Sequence, residues 1–401
     1  MAQIKFFPAS SGTSTYSKFQ NYALTSISQT AITGTVLSSA LGTTPYRFEA
    51  TVADGTAYDI AFGTNAGSQS LSSGTITTIT WYTDDGAVAM RASNLNFSAA
   101  TFASKMLTDG GNLLWEMITD RNLNYFGSAQ ADLIYTGTGN DVVKALAGQD
   151  YIMDMGGSDT YIGGAGVDVV DYSQSFWRPW LGNRGIVVDL RAGTGTGPDG
   201  NTDTFNGIEQ ITGTYKNDVM RGNAADNVFT GFAGNDVFNG RGGRDYVRYD
   251  DDDDYGGYSA IVARLDQGFV TDGFGNRDRV VSIEGVYGTA GADRFFDDAN
   301  DNYFRGNAGD DTFLLRRGND YVSGGTGADT FVFAGADFDH NAISDFEVGI
   351  DHIKISAATK YADLTINQNT AGNAIVVYDS SSVELLGVAK ADLSADDFLF
   401  A

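Results

Sequence analysis

The chain has 401 residues, no cysteine, and 51 Asp and Glu against 25 Lys and Arg, a net charge of −26. So acidic a chain is excluded as a nucleic-acid binder, because phosphate contacts need a basic footprint, and disulfide staples are excluded outright. No apolar stretch approaches the roughly 18 residues of a membrane-spanning helix, which also argues against a pore-forming segment.

In chain order, residues 1–8 lack the apolar core of about 7–15 residues that a conventional signal peptide needs. Residues 1–126 read as a small β-rich N-terminal domain. Tyr46, Phe48, Ala50 and Val52 alternate with polar residues, and so do Tyr58, Ile60 and Phe62 beyond an Asp54-Gly55 turn, which predicts a hairpin. Residues 75–83 and 87–93 flank Asp85-Gly86 and predict another. Ser98 then caps a predicted helix carrying Phe102 and Met106. Leu113, Leu114, Met117 and Ile118 give a second helical stripe, making a helical connector. Such a domain would cover the first open edge of the β stack that follows, since a bare edge invites aggregation.

From residue 127 the chain becomes repetitive. Fourteen nine-residue units carry Asp, or twice Asn, at the sixth position and an apolar residue at the eighth. The first run, 127–171, places Asp132, Asp141, Asp150, Asp159 and Asp168 at the sixth position. The second, 213–248, places Asp218, Asn227, Asp236 and Asp245 there. The third, 288–332, places Asp293, Asn302, Asp311, Asp320 and Asp329 there. Ten of the fourteen fourth positions are Gly, which supplies the positive φ of a tight turn without steric penalty.

A short strand and a tight turn, repeated, give a solenoid in which each unit contacts only its neighbours. The eighth position points into a narrow core. The sixth-position carboxylate, beside exposed turn carbonyls, offers the hard oxygens that calcium takes six to eight at a time. In a two-sided roll, like-sided turns are two units apart, and an ion between them replaces carboxylate repulsion with shared coordination. One ion per like-sided pair gives roughly eight ions neutralising about 16 charges. Without them the roll should be largely disordered, because folding and metal binding are linked.

The units TGTGNDVVK, GGAGVDVVD, GFAGNDVFN, GNAGDDTFL and GGTGADTFV make the chain resemble the RTX family, bacterial proteins with hemolysin-type calcium-binding nonapeptides. The resemblance covers residues 127–401. It implies an all-β fold, a parallel β-roll over 127–332, with calcium held by the sixth-position side chains and turn carbonyls. Gln130, Lys216 and Ala225 depart from the fourth-position Gly, and Asn227 and Asn302 offer neutral oxygens, so these turns are expected to bind weakly or not at all.

Two excursions, 172–212 and 249–287, separate the runs. Ile186-Val187-Val188-Asp189-Leu190 matches Ile261-Val262-Ala263-Arg264-Leu265, and Ile208-Glu209 matches Ile283-Glu284 at the same offset, so excursion plus run is a duplicated unit. Each excursion is expected to add strands to the same solenoid and a long surface loop. The first holds the aromatic segment Phe176-Trp177-Arg178-Pro179-Trp180, which either covers the solenoid's side or anchors a sugar or partner. The second holds five consecutive acids, Asp250 to Asp254, read as a solvated tract with an extra ion site as the alternative.

Residues 333–401 read as a cap and export signal. The segment FDHNAISDFEVGIDHIKIS, 338–356, resembles the family's closing cap, in which Asp345 and Asp351 would complete the last calcium site. Val383, Leu385 and Val388 predict a final strand. The acidic-then-apolar tail Ala395 to Ala401 resembles the uncleaved signal of type I secretion substrates. By that resemblance, low cytosolic calcium keeps the chain unfolded for the type I machinery and high external calcium folds it.

No HExxH and no GxSxG is present, so metalloprotease and lipase chemistry have no support. The two histidines, His340 and His352, fall in the predicted cap. The resulting expectation is a secreted bacterial protein, extracellular or at the cell surface, non-enzymatic, with a calcium-folded scaffold. It would serve in a surface, matrix or adhesion role, with cell-surface or matrix polysaccharide or self-association as partner. The rival is a secreted carbohydrate-active enzyme or polysaccharide binder acting through residues 1–126 or the aromatic loop.

Overall fold

A computed structural model describes strands within residues 22–98 and the chain from 122 to 400, apart from 176–181 and 336. Among the described residues there are strands and short 3-10 turns and no α-helix. No described helix is long and apolar enough to cross a membrane. The two predicted helices of the connector and the segment Phe176 to Trp180 lie outside the described residues.

The N-terminal strands Tyr22–Ile27, Ala31–Val36, Arg47–Ala53, Thr75–Tyr82 and Val88–Ser98 pair in sequence order, all antiparallel. The predicted hairpin across Asp85-Gly86 is present, with Tyr82 opposite Val88. The hairpin predicted across Asp54-Gly55 is not. Both edges of Arg47–Ala53 are taken, by Ala31–Val36 and Thr75–Tyr82. Tyr58–Ile60 pairs instead with Gln69–Leu71. A strand has two hydrogen-bonding edges, and alternation alone cannot say which partner fills each.

The chain divides into two compact units, Met1–Arg184 with Ala192–Gln210, and Gly185–Arg191 with Ile211–Ala401. In the first, Val88–Ser98 pairs antiparallel with Asn124–Phe126, where the repeats begin. From there successive strands alternate between two parallel sheets. Asn124–Phe126, Val142–Ala147 and Thr160–Ala165 share one sheet; Leu133–Tyr135, Tyr151–Met153 and Val169–Asp171 share the other. Ile134 lies opposite Ile152 and Ile152 opposite Val170, a register of two nonapeptides. The second unit repeats this. Val219–Arg221 pairs with Val237–Asn239, and Val228–Thr230 with Tyr246–Arg248; Arg294–Phe296, Thr312–Leu315 and Thr330–Phe333 follow one another in one sheet.

Alternation along each strand turns every eighth-position side chain inward, and all fourteen are buried. Each contributes on the order of 1.5–3 kcal/mol by leaving water. Because the same position recurs on the same sheet every second nonapeptide, like side chains stack: Phe313 lies 4.8 Å from Phe295 and 5.1 Å from Phe331, each pair at 8°.

The excursions share one design. Val187–Asp189 pairs parallel with Val219–Arg221, and Val262–Arg264 with Arg294–Phe296, the same relation in the second copy of the duplication. Each excursion then adds a hairpin, Thr194–Thr196 with Thr202–Asn206 and Phe269–Thr271 with Arg277–Val281. The second hairpin strand rejoins the roll, Thr202–Asn206 beside Thr160–Ala165 and Arg277–Val281 beside Val237–Asn239. At the far end, His340–Ile343 and His352–Ile355 extend the two sheets, and the predicted last strand, Ser381–Leu385, pairs parallel with His340–Ile343. Val388 lies beyond it. The tail is docked: Phe398 bridges to Ile353, and the buried Asp397 accepts N–H bonds from Gly349 and Ser394.

Candidate metal centres in the repeat turns

All fourteen sixth-position side chains are buried. One reason is the first position of the unit. Gly231 and Gly288 sit beneath the carboxylates of Asp236 and Asp293, and a Cβ on either would fall on a carboxylate oxygen. The turn also needs a left-handed backbone. Gly166 has φ +136°, and the Gly148 carbonyl occupies the space a side chain there would fill. Turn carbonyls two nonapeptides apart therefore stack as the strands do.

From the third unit of each run onward, the sixth-position residue reaches back to the equivalent turn two units earlier. Asp311 Oδ1 accepts the N–H of Asp293 at 2.7 Å, Asp320 Oδ1 that of Asn302 at 2.8 Å, and Asp236 Oδ1 that of Asp218 at 2.8 Å. In the first run Asp159 serves Asp141 at 2.7 Å and Asp168 serves Asp150 at 2.9 Å. What the second oxygen does divides the turns into two groups.

In the first turn on each side of each run it stays within its own loop. Asp132 and Asp141 accept N–H bonds from Ser128 and Gly137, four residues earlier. Asp218 and Asp293 accept from Thr214 and Thr289, whose hydroxyls also donate. Asn227 and Asn302 accept from Asn223 and Asp298. In later turns that second-position residue is often left-handed, as at Gly164, Phe232, Arg241, Asn307 and Gly325, and does not make this bond. Asp168, Asp236, Asp245, Asp311, Asp320 and Asp329 then each hold one buried oxygen with no hydrogen-bond donor. Asp159 gives its second oxygen to the Tyr161 hydroxyl at 2.8 Å.

An orphaned carboxylate oxygen out of water is costly unless a cation meets it. Burial pushes the Asp245 carboxyl up to about 7 and those of Asp311 and Asp320 up to about 8, against an ordinary 3.8. A hard divalent cation, held by that oxygen and the stacked turn carbonyls, fits this donor set.

The sixth-position ladder continues where no nonapeptide was read. Asp203 and Glu209 accept the N–H groups of Asp159 and Asp168, and Asp278 and Glu284 those of Asp236 and Asp245. Asn341 and Asp351 do the same for Asp320 and Asp329. The signal was present: each of these is followed two residues on by an inward apolar residue, Phe205, Ile211, Val280, Val286, Ile343 and Ile353. The cap acid Asp345 takes the N–H groups of Gly324 and Gly325 and the Ser323 hydroxyl, at the last turn of the third run. Of the two histidines, His340 turns its Nδ1 to the Ser382 hydroxyl at 2.9 Å rather than to a turn carboxylate.

One cluster joins two ladder acids to a third. Asp154, Asp159 and Asp203, all buried, bring carboxylate oxygens within 4.8 Å of one another. The Tyr161 hydroxyl lies 2.5 Å from Asp154 and 2.8 Å from Asp159, donating its one proton to one carboxylate and accepting from the other in its protonated form, and Tyr172 donates to Asp203 at 2.8 Å. Desolvation and mutual repulsion raise all three carboxyls well above the usual range.

The family model described as the RTX calcium-binding nonapeptide repeat matches residues 125–152, 135–170, 212–247, 287–322, 298–331 and 315–337. A comparison with curated proteins finds no match. Among solved structures, the chain is similar to the AlgE6R3 subunit of the Azotobacter vinelandii mannuronan C5-epimerase, at 30% identity over 29% of this chain and 77% of that one, TM-score 0.26. It is also similar to the AlgE6R2 subunit of the Azotobacter vinelandii mannuronan C5-epimerase, at 23% identity over 29% and 92%, TM-score 0.15. The extracellular lipase LipA of Serratia marcescens matches at 20% identity over 69% of this chain and 40% of that one, TM-score 0.20. With its in-phase repeats and their two-sided parallel roll, the chain belongs to the RTX family, and its nonapeptide repeats bind calcium.

Proposed function

We propose that this is a secreted bacterial protein whose roll folds on extracellular calcium and serves as a non-enzymatic scaffold at a cell surface or in a matrix. The observation that carries the reading is the split between turns. In first turns Asp141, Asp218 and Asp293 close their carboxylates internally, and in later turns Asp168, Asp236, Asp245, Asp311, Asp320 and Asp329 each leave an oxygen for an ion. An ion then lies between a later turn and the like-sided turn before it, held by the later turn's sixth-position Asp and by carbonyls of both. Asp345 and Asp351 close the last turn. The N-terminal sheet, joined to the roll through Val88–Ser98, covers the roll's first edge. A chain kept unfolded by low calcium suits export through a type I channel, with the tail as signal. The test is far-UV circular dichroism and Trp fluorescence during a calcium titration from excess chelator. Cooperative gain of β signal with calcium and not with equal magnesium is expected; a fully folded, metal-free protein by elemental analysis overturns the reading.

A second reading, binding of an acidic polysaccharide, is favoured by one surface. On the outer face of the second unit Tyr246 packs 5.5 Å from Tyr287 and 6.2 Å from Tyr303, and Tyr303 6.2 Å from Tyr321. Arg244 lies 4.1 Å over the Tyr303 ring and Arg248 5.8 Å over Tyr287. Gly285 leaves the room that the Tyr246 ring fills. Aromatic faces beside guanidinium groups can stack on sugar rings and pair with carboxylates. Retention of the calcium-loaded protein on immobilised alginate, lost in Tyr303→Ala, would establish it; absence of retention at low salt would dismiss it.

A further inference from the structure

We propose that the outer face of the second unit's other sheet, from Arg277–Val281 to His352–Ile355, binds a linear acidic polysaccharide through arginines held flat on phenylalanine rings. This face lies on the sheet opposite the tyrosine surface and does not depend on it. The strand register builds it. Arg277–Val281 pairs with Phe269–Thr271, which pairs with Val262–Arg264, which pairs with Arg294–Phe296. Thr312–Leu315, Thr330–Phe333 and His352–Ile355 follow in order. Ala263, Val270, Val280, Phe295, Phe313 and Ile353 are buried, so alternation turns their strand neighbours outward.

One outward row begins Arg279, Phe269, Arg264, Phe296 and ends at Lys354. The row beside it begins with Arg277 and Thr271, and Arg294 stands further along, followed by Thr312 and Thr330. No outward position of these seven strands carries an acid, in a chain of net charge −26. The guanidinium groups lie on the rings: Arg277 is 3.7 Å over Phe269, and Arg264 4.2 Å and Arg294 5.6 Å over Phe296. Such stacking fixes a planar fork before a carboxylate arrives, so less freedom is lost on pairing. Asp266, just past its strand, pairs with Arg264 at 3.0 Å. Among the described residues no carboxylate pairs with Arg277, Arg279, Arg294 or Lys354, and the three arginines are exposed.

The shape of this basic stripe selects the partner. Seven strands give a length of roughly 29 Å, and two outward residues per strand a width of roughly 7 Å. A long, narrow stripe suits one extended polymer lying along the roll and is too narrow to dock a membrane surface. Carboxylates set apart along a sugar chain meet forks set apart by strands, and the threonine hydroxyls beside them can bond sugar hydroxyls. Nucleic acid carries a charge at every residue and meets the most repulsion from the rest of so acidic a chain.

The experiment is fluorescence anisotropy of labelled hyaluronan oligosaccharides with the calcium-loaded full chain at low salt. Binding is expected, and it should weaken as salt rises. Arg277→Gln with Arg294→Gln should bind roughly tenfold more weakly, two exposed charge pairs being lost, with the β signal unchanged. In Tyr303→Ala, which disables the tyrosine face, binding should persist and still fall with the two arginine substitutions. Binding lost in Tyr303→Ala but indifferent to the arginines would overturn this face and leave the tyrosine face standing. No binding at low salt, or a folded double variant that binds as tightly as the parent, overturns it as well. Should the double variant fail to fold, Arg279→Gln with Lys354→Gln decides in the same way. Equal binding of polyglutamate or single-stranded DNA would show a face that reads charge alone and overturn the polysaccharide as its partner.

Discussion

The two excursions have the same backbone plan and different buried chemistry. In both, a tyrosine at the end of the preceding run donates to an aspartate on the hairpin: Tyr172 to Asp203, and Tyr249 to Asp278. In both, that aspartate serves the N–H of a sixth-position residue, Asp159 or Asp236. Around this shared pair the residues diverge. Counting from the tyrosine, Ser175 stands in the first where Asp252 stands in the second. At the first position of the unit that holds Asp159 or Asp236, Asp154 stands in the first and Gly231 in the second; at the eighth, Tyr161 and Phe238. The first cluster thus satisfies its carboxylates with tyrosine hydroxyls, and the second leaves Asp236 Oδ2 and Asp252 Oδ1 bare. A duplicated framework can hold buried acids either by sharing protons and hydroxyls or by presenting oxygens to a cation, and these few substitutions separate the two.

The largest expected effect sets the cation against the proton. Acids whose folded-state carboxyls are raised by burial bind protons more tightly folded than unfolded, so they favour the folded state at low pH. Stability is lost as pH rises from the ordinary 3.8 through the folded values, about 6 for Asp293 and Asp329 and about 8 for Asp311 and Asp320. Chelated protein should therefore gain β signal on acidification from pH 8 to pH 4 (roughly the titration window) and lose it on return. Calcium should reverse the slope above pH 6, since it needs the deprotonated acids. A chelated protein equally unfolded at both pH values would break the argument that the buried acids hold either a proton or a cation.

A smaller effect tests whether the two frameworks are backbone equals. Gly166 and Gly243 occupy corresponding turns, with φ +136° and +108°, each against a carbonyl of the like-sided turn before it, Gly148 or Ala225. Alanine at either should cost on the order of 1–3 kcal/mol in calcium-loaded thermal or urea unfolding. A neutral result at one only would show that the turns differ.

The smallest effect isolates the chemical difference. Tyr161→Phe alone removes the hydroxyl shared by Asp154 and Asp159 and should cost about 1–3 kcal/mol. Combined with Asp154→Gly it recreates the Gly231 and Phe238 pair, and most of that loss should return. A double-mutant cycle on unfolding free energy measures the coupling, and additive losses would mean the two residues do not act together.

Much of this was legible in the residues. The inward eighth position, the sixth-position ladder and the two-unit register follow from a period of nine, because a repeated local rule forces a repeated neighbour, and the duplication is read from the matched residues of the two excursions. Other features were legible only in part or not at all. Asp203, Glu209, Asp278 and Glu284 join the ladder although hairpins and loops part them from the nonapeptides, a matter of which strand returns to which edge. The strand pairing around Arg47–Ala53 was misread for the same reason. Asp252 could not be told from its four acidic neighbours, since burial within a charge run is decided by a 3-10 turn and the hairpin packed on it. Sequence alone determined the periodic part of this protein, the roll and its family, because there every unit carries its own instructions. Tertiary structure alone decided which buried oxygens remain bare, because a hydrogen-bond donor is supplied by a neighbour that lies close in space and far along the chain.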